Sequence, residues 1–439
     1  MSLISRASIV AATLVFLSFS GALWYSGDAG NIAGGDLEFM LEHGAAQSME
    51  ETILRGLASR RVLAAQRAFV TIPVLSSEVP VRKLSSVAGY DLEAYFPKFS
   101  LNFENHPSRA LSKYGIAGFG GVTLYDDNIY GYAADRIRAL TDRLKAIYST
   151  RIAVHVGQGG AQKDFAVVIR PIIAMDCDFH PVNFRYCRQL RDKYAALDLP
   201  REELHARIAA ELENMGFDTP LSPEADLPPG GGPAESATMT GGVRRIVKTL
   251  AAHRLIPVAK HFLFDWSGDP HEEEVQVTTP LERYPLWLAP YAALEESGRP
   301  YFLMVTHHSL LLDPGVALPL SLPAMNYIRA RFPSAVIMAD DVKMRGLPRR
   351  PGGISSTVAQ LKTDVFLYHL GNIMPSIAPV IEGLAQTPSA ESEEAVYRLL
   401  SLKWKMGILT IEPVPPAAPA GPLGVSKELW SEKARRRQS

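Results

Sequence analysis

YFLMVTHHSLLLDPGVALPLSLPAMNYIRARFPSAVIMAD (301–340) decides the fold. It opens on an apolar run that closes on the polar pair His307 and His308. A segment with apolar residues at three- and four-residue spacing follows, LPAMNYIRARF (322–332), and then a second apolar run that closes on Asp340. Short β-branched runs without alternation read as strands buried on both faces, and the segment between them reads as an amphipathic helix. A strand, a crossover helix and a second strand form a parallel unit.

The same unit recurs along the chain. AFVTIPVL (68–75), FGGVTLY (119–125), RIAVHVG (151–157), a weak PLSPEAD (220–226), LIPVAKHF (255–262) and TDVFLYHL (363–370) read as further strands. AADRIRALTDRLKAIY (133–148), REELHARIAAELENMG (201–216) and GGVRRIVKTLAAHR (241–254) read as helices. Eight strands alternating with helices predict closure into a (β/α)8 TIM barrel over residues 68–411. A doubly wound open sheet is the alternative, but no Gly-x-Gly-x-x-Gly turn follows an early strand to support dinucleotide binding.

The flanks have a different character. Residues 1–30 place Arg6 ahead of an apolar run from Ala7 to Tyr25, the pattern of an export segment. A removed signal peptide and a retained membrane anchor both fit its length. Residues 31–67 read as a helical lead on the outside of the barrel. The Pro- and Gly-rich DLPPGGGPAES (226–236) reads as a loop on the active face. Residues 412–439 form a Pro/Ala-rich tail with a basic end, a composition that favours disorder.

The formal net charge is −1 over 439 residues, and the main body carries no basic stripe, so no nucleic-acid partner is expected and a small neutral substrate fits better. No cofactor fingerprint is present. The only cysteines, Cys177 and Cys187, are too few for a zinc framework; in an oxidising compartment they can close a short loop, and spacing alone does not decide it.

In such a barrel the C-terminal strand ends face the active site. Strand five ends in Lys260 and His261, strand six in His307 and His308, and strand seven in Asp340 and Asp341. A single charged strand end is usually a solvated loop start, whereas three in succession suggest a site. Asp176, Asp178 and His180 in MDCDFH alternate along an extended segment and raise metal-dependent hydrolysis as a further reading. That segment follows IRPIIA, away from any predicted barrel mouth, so no metal is expected.

PVAKHF with DPH shortly after it, LMVTHH, LPLSLPAMNYIRARF and MADDVKM resemble, in order and spacing, the signature of family 3 glycoside hydrolases. ELENMGFDTPLSPEADL and VYRLLSLKWKMGIL are similar to two further family segments, so the resemblance runs over roughly residues 115–406. The single-barrel form with an Asp-x-His loop resembles the β-N-acetylhexosaminidase branch that acts on bacterial cell-wall fragments.

The resemblance implies a retaining β-glycosidase with Asp340 as nucleophile, His271 as acid/base and Asp269 as its orienting carboxylate. It further implies that Lys260, His261 and His307 contact the sugar. A histidine titrates near neutral pH, and a carboxylate on one ring nitrogen fixes the tautomer so that the other can move a proton.

The chain departs from the family where sugar is held. HVGQGGAQKDF stands in place of DQEGGRVQR, which sets the family's aspartate on Val156 or His155 and its arginine on Asp164. PPGGGPAESATMTGG replaces the segment that carries a second arginine, and LFDW replaces PGHG, with Trp266 as a candidate stacking platform. These changes imply altered specificity. A catalytically degenerate, membrane-tethered glycan-binding barrel is the competing reading.

Overall fold

The computed structural model describes residues 37–40, 48–71, 119–369 and 378–414, with short gaps inside them that include 178–189 and 265–267. The export segment, Trp266, Cys187 and the tail beyond residue 414 lie outside the described residues.

Eight parallel strands form the central sheet: β2 (Ala68–Thr71), β3 (Gly121–Leu124), β6 (Ile172–Met175), β7 (Thr219–Pro220), β8 (Val258–Phe262), β9 (Tyr301–Val305), β10 (Ala335–Ala339) and β11 (Val365–Tyr368). Their order is β7-β6-β3-β2-β11-β10-β9-β8. The two ends of that series meet through backbone bonds. Ile256 N–H donates to Asp218 O (2.9 Å), Val258 N–H to Ser222 O (2.8 Å) and Ala225 N–H to Lys260 O (2.7 Å), so the sheet closes into the expected barrel.

Alternate strand residues fill the interior: Phe69, Ile172, Leu221, Phe302, Val336 and Val365 pack with Leu399, Leu402 and Ile408, which plug the N-terminal end. Gly121 is required where β2 and β3 pack, since a Cβ there would stand 2.3 Å from the Phe69 ring. The outward-facing residues pack against the helices α2 (Ala134–Tyr148), α3 (Arg201–Asn214), α4 (Pro233–Ala252), α5 (Tyr284–Glu295), α6 (Leu322–Arg331), α7 (Gly353–Ala359) and α8 (Ala378–Gln386). Helix α4 begins at Pro233, so the loop predicted over 226–236 ends there and the segment after it is helical.

Seven predicted strands overlap barrel strands, and the exception is the third. RIAVHVG belongs to β4 (Thr150–Gln158), which pairs antiparallel with β5 (Ala161–Ile169). These two, with β1 (Leu37–Met40) and β12 (Leu409–Pro413), make a separate four-stranded sheet. The physical cause is visible in burial: Arg151 and Ala153 are exposed while Val154 is buried, the alternation of a one-sided sheet, whereas all four residues of β6 are buried. β5, β4 and β12 pack through Val154, Phe165, Val167 and Leu409 on α1 (Met49–Ala58) and α9 (Ala390–Lys405). The lead before the barrel therefore carries a strand as well as a helix, and the predicted tail starts inside β12.

At the N-terminal end, Asp364 is fully buried and holds Arg329 (2.8 Å), Arg398 (2.7 Å) and the Ile337 amide (2.8 Å). Arg67 donates to the Asp364 and Thr363 carbonyls beside it. Lys403, also fully buried, donates to Gln66 Oε1 (2.7 Å) and Arg170 O (2.8 Å).

Candidate active site

The opposite end of the barrel gathers charge. β6 delivers Asp176, the chain after β7 delivers Asp226, β8 delivers Lys260 and His261, and β10 delivers Asp340 and Asp341. The stretch containing Asp176 therefore does follow a barrel strand, contrary to the expectation that it lies away from the mouth. Asp176, and neither Val156 nor His155, is the carboxylate at the end of the third barrel strand. Among the described residues no group of three or more His, Cys, Asp or Glu side chains is arranged to hold a metal.

Asp340 has a side chain only 15% exposed, with Oδ1 accepting from the Asp341 amide at 2.7 Å and Oδ2 4.0 Å from His261 Nε2. Burial opposes its charge, but His261, His307, the Asp341 amide and Lys260 outweigh burial and hold its pKa below the usual carboxylate value. Asp340 is therefore an ionised carboxylate in a largely dry setting.

His261 is gripped twice by Asp226: its backbone N–H donates to Oδ1 (2.8 Å) and Nδ1 lies 2.9 Å from Oδ2. Tyr291 O–H donates to the same Oδ1 at 3.0 Å. Burial works against the imidazolium, yet the hydrogen bond to Asp226 and the charges of Asp226 and Asp340 raise the His261 pKa to about 9. The Lys260–His261 peptide is cis. Lys260, almost buried, pairs with Asp176 at 3.1 Å.

His307 is 1% exposed and sits beneath the mouth, with Nε2 2.9 Å from the Asp341 carbonyl, and burial lowers its pKa. Asp341 turns away from the centre: its Oδ1 accepts from the Lys343 and His369 amides, both at 3.1 Å, which ties the turn after β10 to the end of β11. The chain after β8 carries Asp269 and His271, both well exposed. Asp269 Oδ1 accepts from the His271 amide at 2.9 Å and lies 2.8 Å from its Nδ1, and these two bonds lower the Asp269 pKa. This loop is fastened beside His307, for Gly346 N–H donates to Pro270 O at 2.7 Å and a Cβ on Gly346 would stand 3.1 Å from His307 Cβ.

Three residues at this end were not singled out as sugar-site candidates from the sequence. Asp176 follows the short strand Ile172–Met175, which the longer RIAVHVG run obscures, and Asp226 follows the two-residue β7. Tyr125 ends β3 with its hydroxyl pKa raised by burial and by the charges of Asp176, Asp340 and Asp341. As the polar last residue of FGGVTLY, it carried the same strand-end signal as His307. Cys177, just after Asp176, is buried and disulfide-bonded.

No family model matches the chain. No curated protein matches it in sequence. Solved structures do. LpqI of M. tuberculosis superposes with a TM-score of 0.52 at 17% identity, covering 87% of this chain and all of that one. A glycoside hydrolase family 3 β-N-acetylglucosaminidase from Paenibacillus sp. FPU-7 gives 0.52 at 16% identity, covering 89% of this chain and 68% of the other. The β-glucoside phosphorylase BglX bound to 2FGlc gives 0.51 at 16%, covering 82% and 62%. The barrel of this chain is thus similar in fold to those of family 3 glycoside hydrolases and of LpqI.

Proposed function

We propose that this protein is a glycoside hydrolase of the family 3 type, a retaining exo-β-glycosidase of β-N-acetylhexosaminidase character acting outside the cytoplasm on cell-wall or related glycans. The observation that carries the reading is Asp340: an ionised carboxylate, largely buried at the C-terminal rim and facing His261. Such a group is suited to attack an anomeric carbon and to stabilise the positive charge that develops there. Asp340 attacks and forms the glycosyl-enzyme while the glycosidic oxygen leaves with a proton from His271. His271 then takes a proton from the water that releases the sugar. Asp269 on Nδ1 leaves Nε2 as the working nitrogen. Lys260, His261 and Asp176 contact the sugar hydroxyls.

The competing reading, a glycan-binding barrel without turnover, is supported by PPGGGPAESATMTGG standing where the family carries its second sugar-binding arginine. A panel of aryl β-glycosides (N-acetylglucosaminide, glucoside, xyloside) separates the two. Turnover of one substrate with retention of anomeric configuration supports the enzyme. A panel without turnover, together with saturable binding of a cell-wall disaccharide, replaces it with the binding protein.

A further inference from the structure

We infer that Asp226 is a positioning residue that keeps His261 doubly protonated and its Nε2–H directed at Asp340. The inference rests on the glycosidase reading for its kinetic consequence, but the device itself is read from contacts. One carboxylate takes both the backbone N–H and Nδ1 of His261, at 2.8 and 2.9 Å. That fixes the ring about its own backbone and leaves Nε2 facing the nucleophile at 4.0 Å. Asp226 is itself immobilised: its side chain is 2% exposed, and the buried Tyr291 of α5 donates to it.

The groups that bear on the His261 ring come from several elements. Asp226 after β7 and Asp340 after β10 favour the proton, while neighbouring Lys260 on β8 and the surrounding burial oppose it. Tyr291 acts through Asp226, and Glu224 faces Tyr291. The Phe264 ring lies against the imidazole at 6.3 Å between centroids and contributes no charge. Without the carboxylate of Asp226, only Asp340 would favour a charged ring against burial and Lys260. The ring would then become neutral at working pH, and Nε2 would be free to accept a hydrogen bond instead of donating one. A donor at Nε2 can serve a sugar hydroxyl next to the anomeric carbon, and its charge keeps Asp340 ionised. Asp226 touches neither substrate nor nucleophile and acts only through His261.

The test is a histidine ¹⁵N NMR titration of the full chain, with the His261 signals assigned by their loss in His261→Gln. In the wild type the ring stays an imidazolium through about pH 8 and in Asp226→Asn its midpoint falls by about 2 units, while Asp226→Glu restores most of the difference. A midpoint unmoved in a folded Asp226→Asn overturns the proposal. So does a wild-type His261 that titrates at or below about 6.5, a measurement that stands even where the Asp226 variants fail to fold.

The kinetic arm uses the best aryl glycoside of the panel. Asp226→Asn lowers kcat about 10- to 100-fold near neutrality with a smaller change in KM, and moves the acidic limb of the pH profile upward, because Asp340 loses a neighbouring positive charge. An acidic limb that stays in place refutes the role. If the wild type turns over nothing, the glycosidase reading fails, and the titration still decides for or against Asp226.

Discussion

His261 Nε2 lies 4.0 Å from Oδ2 of Asp340, the proposed nucleophile. The two groups reinforce each other: Asp340 helps raise the His261 pKa to about 9, and His261 is the foremost charge holding that of Asp340 down. The separation is too long for a good hydrogen bond, so neither Asp340 oxygen is tied to the imidazole. An ionised carboxylate that is stabilised at a distance stays available to attack.

Asp340→Asn is expected to abolish turnover of every substrate, by about 10³-fold or more, because an amide neither attacks the anomeric carbon effectively nor stabilises its positive charge. Folding should survive, since the hydrogen bond its side chain accepts from the Asp341 amide can be kept by the amide oxygen. Initial rates and a thermal melt check both halves. A 2-fluoro-sugar inactivator should label Asp340, and labelling of Asp341 or Asp269 instead would reassign the nucleophile.

Asp364→Ala should cost about 3–5 kcal/mol of stability, because the change leaves Arg329 and Arg398 without their buried partner and the Ile337 amide without its acceptor. The network sits at the end of the barrel away from the rim, so kcat of the folded fraction should not change. Urea unfolding followed by circular dichroism measures the first expectation and assays at low temperature the second.

Much of this was legible in the sequence. The unit over 301–340 is a strand, a helix and a strand within three residues of the predicted limits, because long apolar runs buried on both faces leave few alternatives. The third strand was not legible. Ile172–Met175 spans four residues right after Pro171, while the longer RIAVHVG nearby is a real strand of a different sheet. Alternation was the discriminating signal, since a barrel strand has no exposed face and β4 does. That one displacement hides the strand-end position of Asp176. Asp226 was hidden differently: β7 is two residues long, and the carboxylate follows it by several residues, so no apolar run points to it.

Stability should rise with pH above neutrality because of Lys403. Burial lowers its pKa to about 7 in the folded chain, so between about pH 7 and its unfolded value of 10.5 the unfolded chain binds the extra proton. The cost of burying the ammonium is present in full below about pH 7 and is relieved as pH rises. Wild-type stability should therefore gain about 2 kcal/mol from this group between pH 7 and 9, and Lys403→Met should lose that gain. Urea midpoints at the two pH values, compared between the proteins, remove the contribution of every other titrating group. Equal slopes would mean that Lys403 stays charged against Gln66 and Arg170.

The last expectation concerns the proton. His271 is well exposed and its Nδ1 is held by Asp269 at 2.8 Å, so Nε2 is the nitrogen free to meet a leaving group. If it is the acid/base, His271→Ala should harm glycosides with poor leaving groups far more than activated aryl glycosides, by about 10²-fold or more against less than about 10-fold. A good leaving group departs without protonation, so for activated substrates the glycosyl-enzyme still forms and its hydrolysis becomes the slow step. Azide needs no general base, and added azide should restore turnover and give a glycosyl azide of retained configuration. Asp269→Asn should show the same selectivity more weakly, because an amide can accept from Nδ1–H or donate to a bare Nδ1 and so no longer fixes the tautomer. The comparison of two leaving groups on one sugar isolates proton donation from binding. Equal losses on both, with no azide rescue, would assign the proton to another group at the rim and leave His271 as a solvated turn residue.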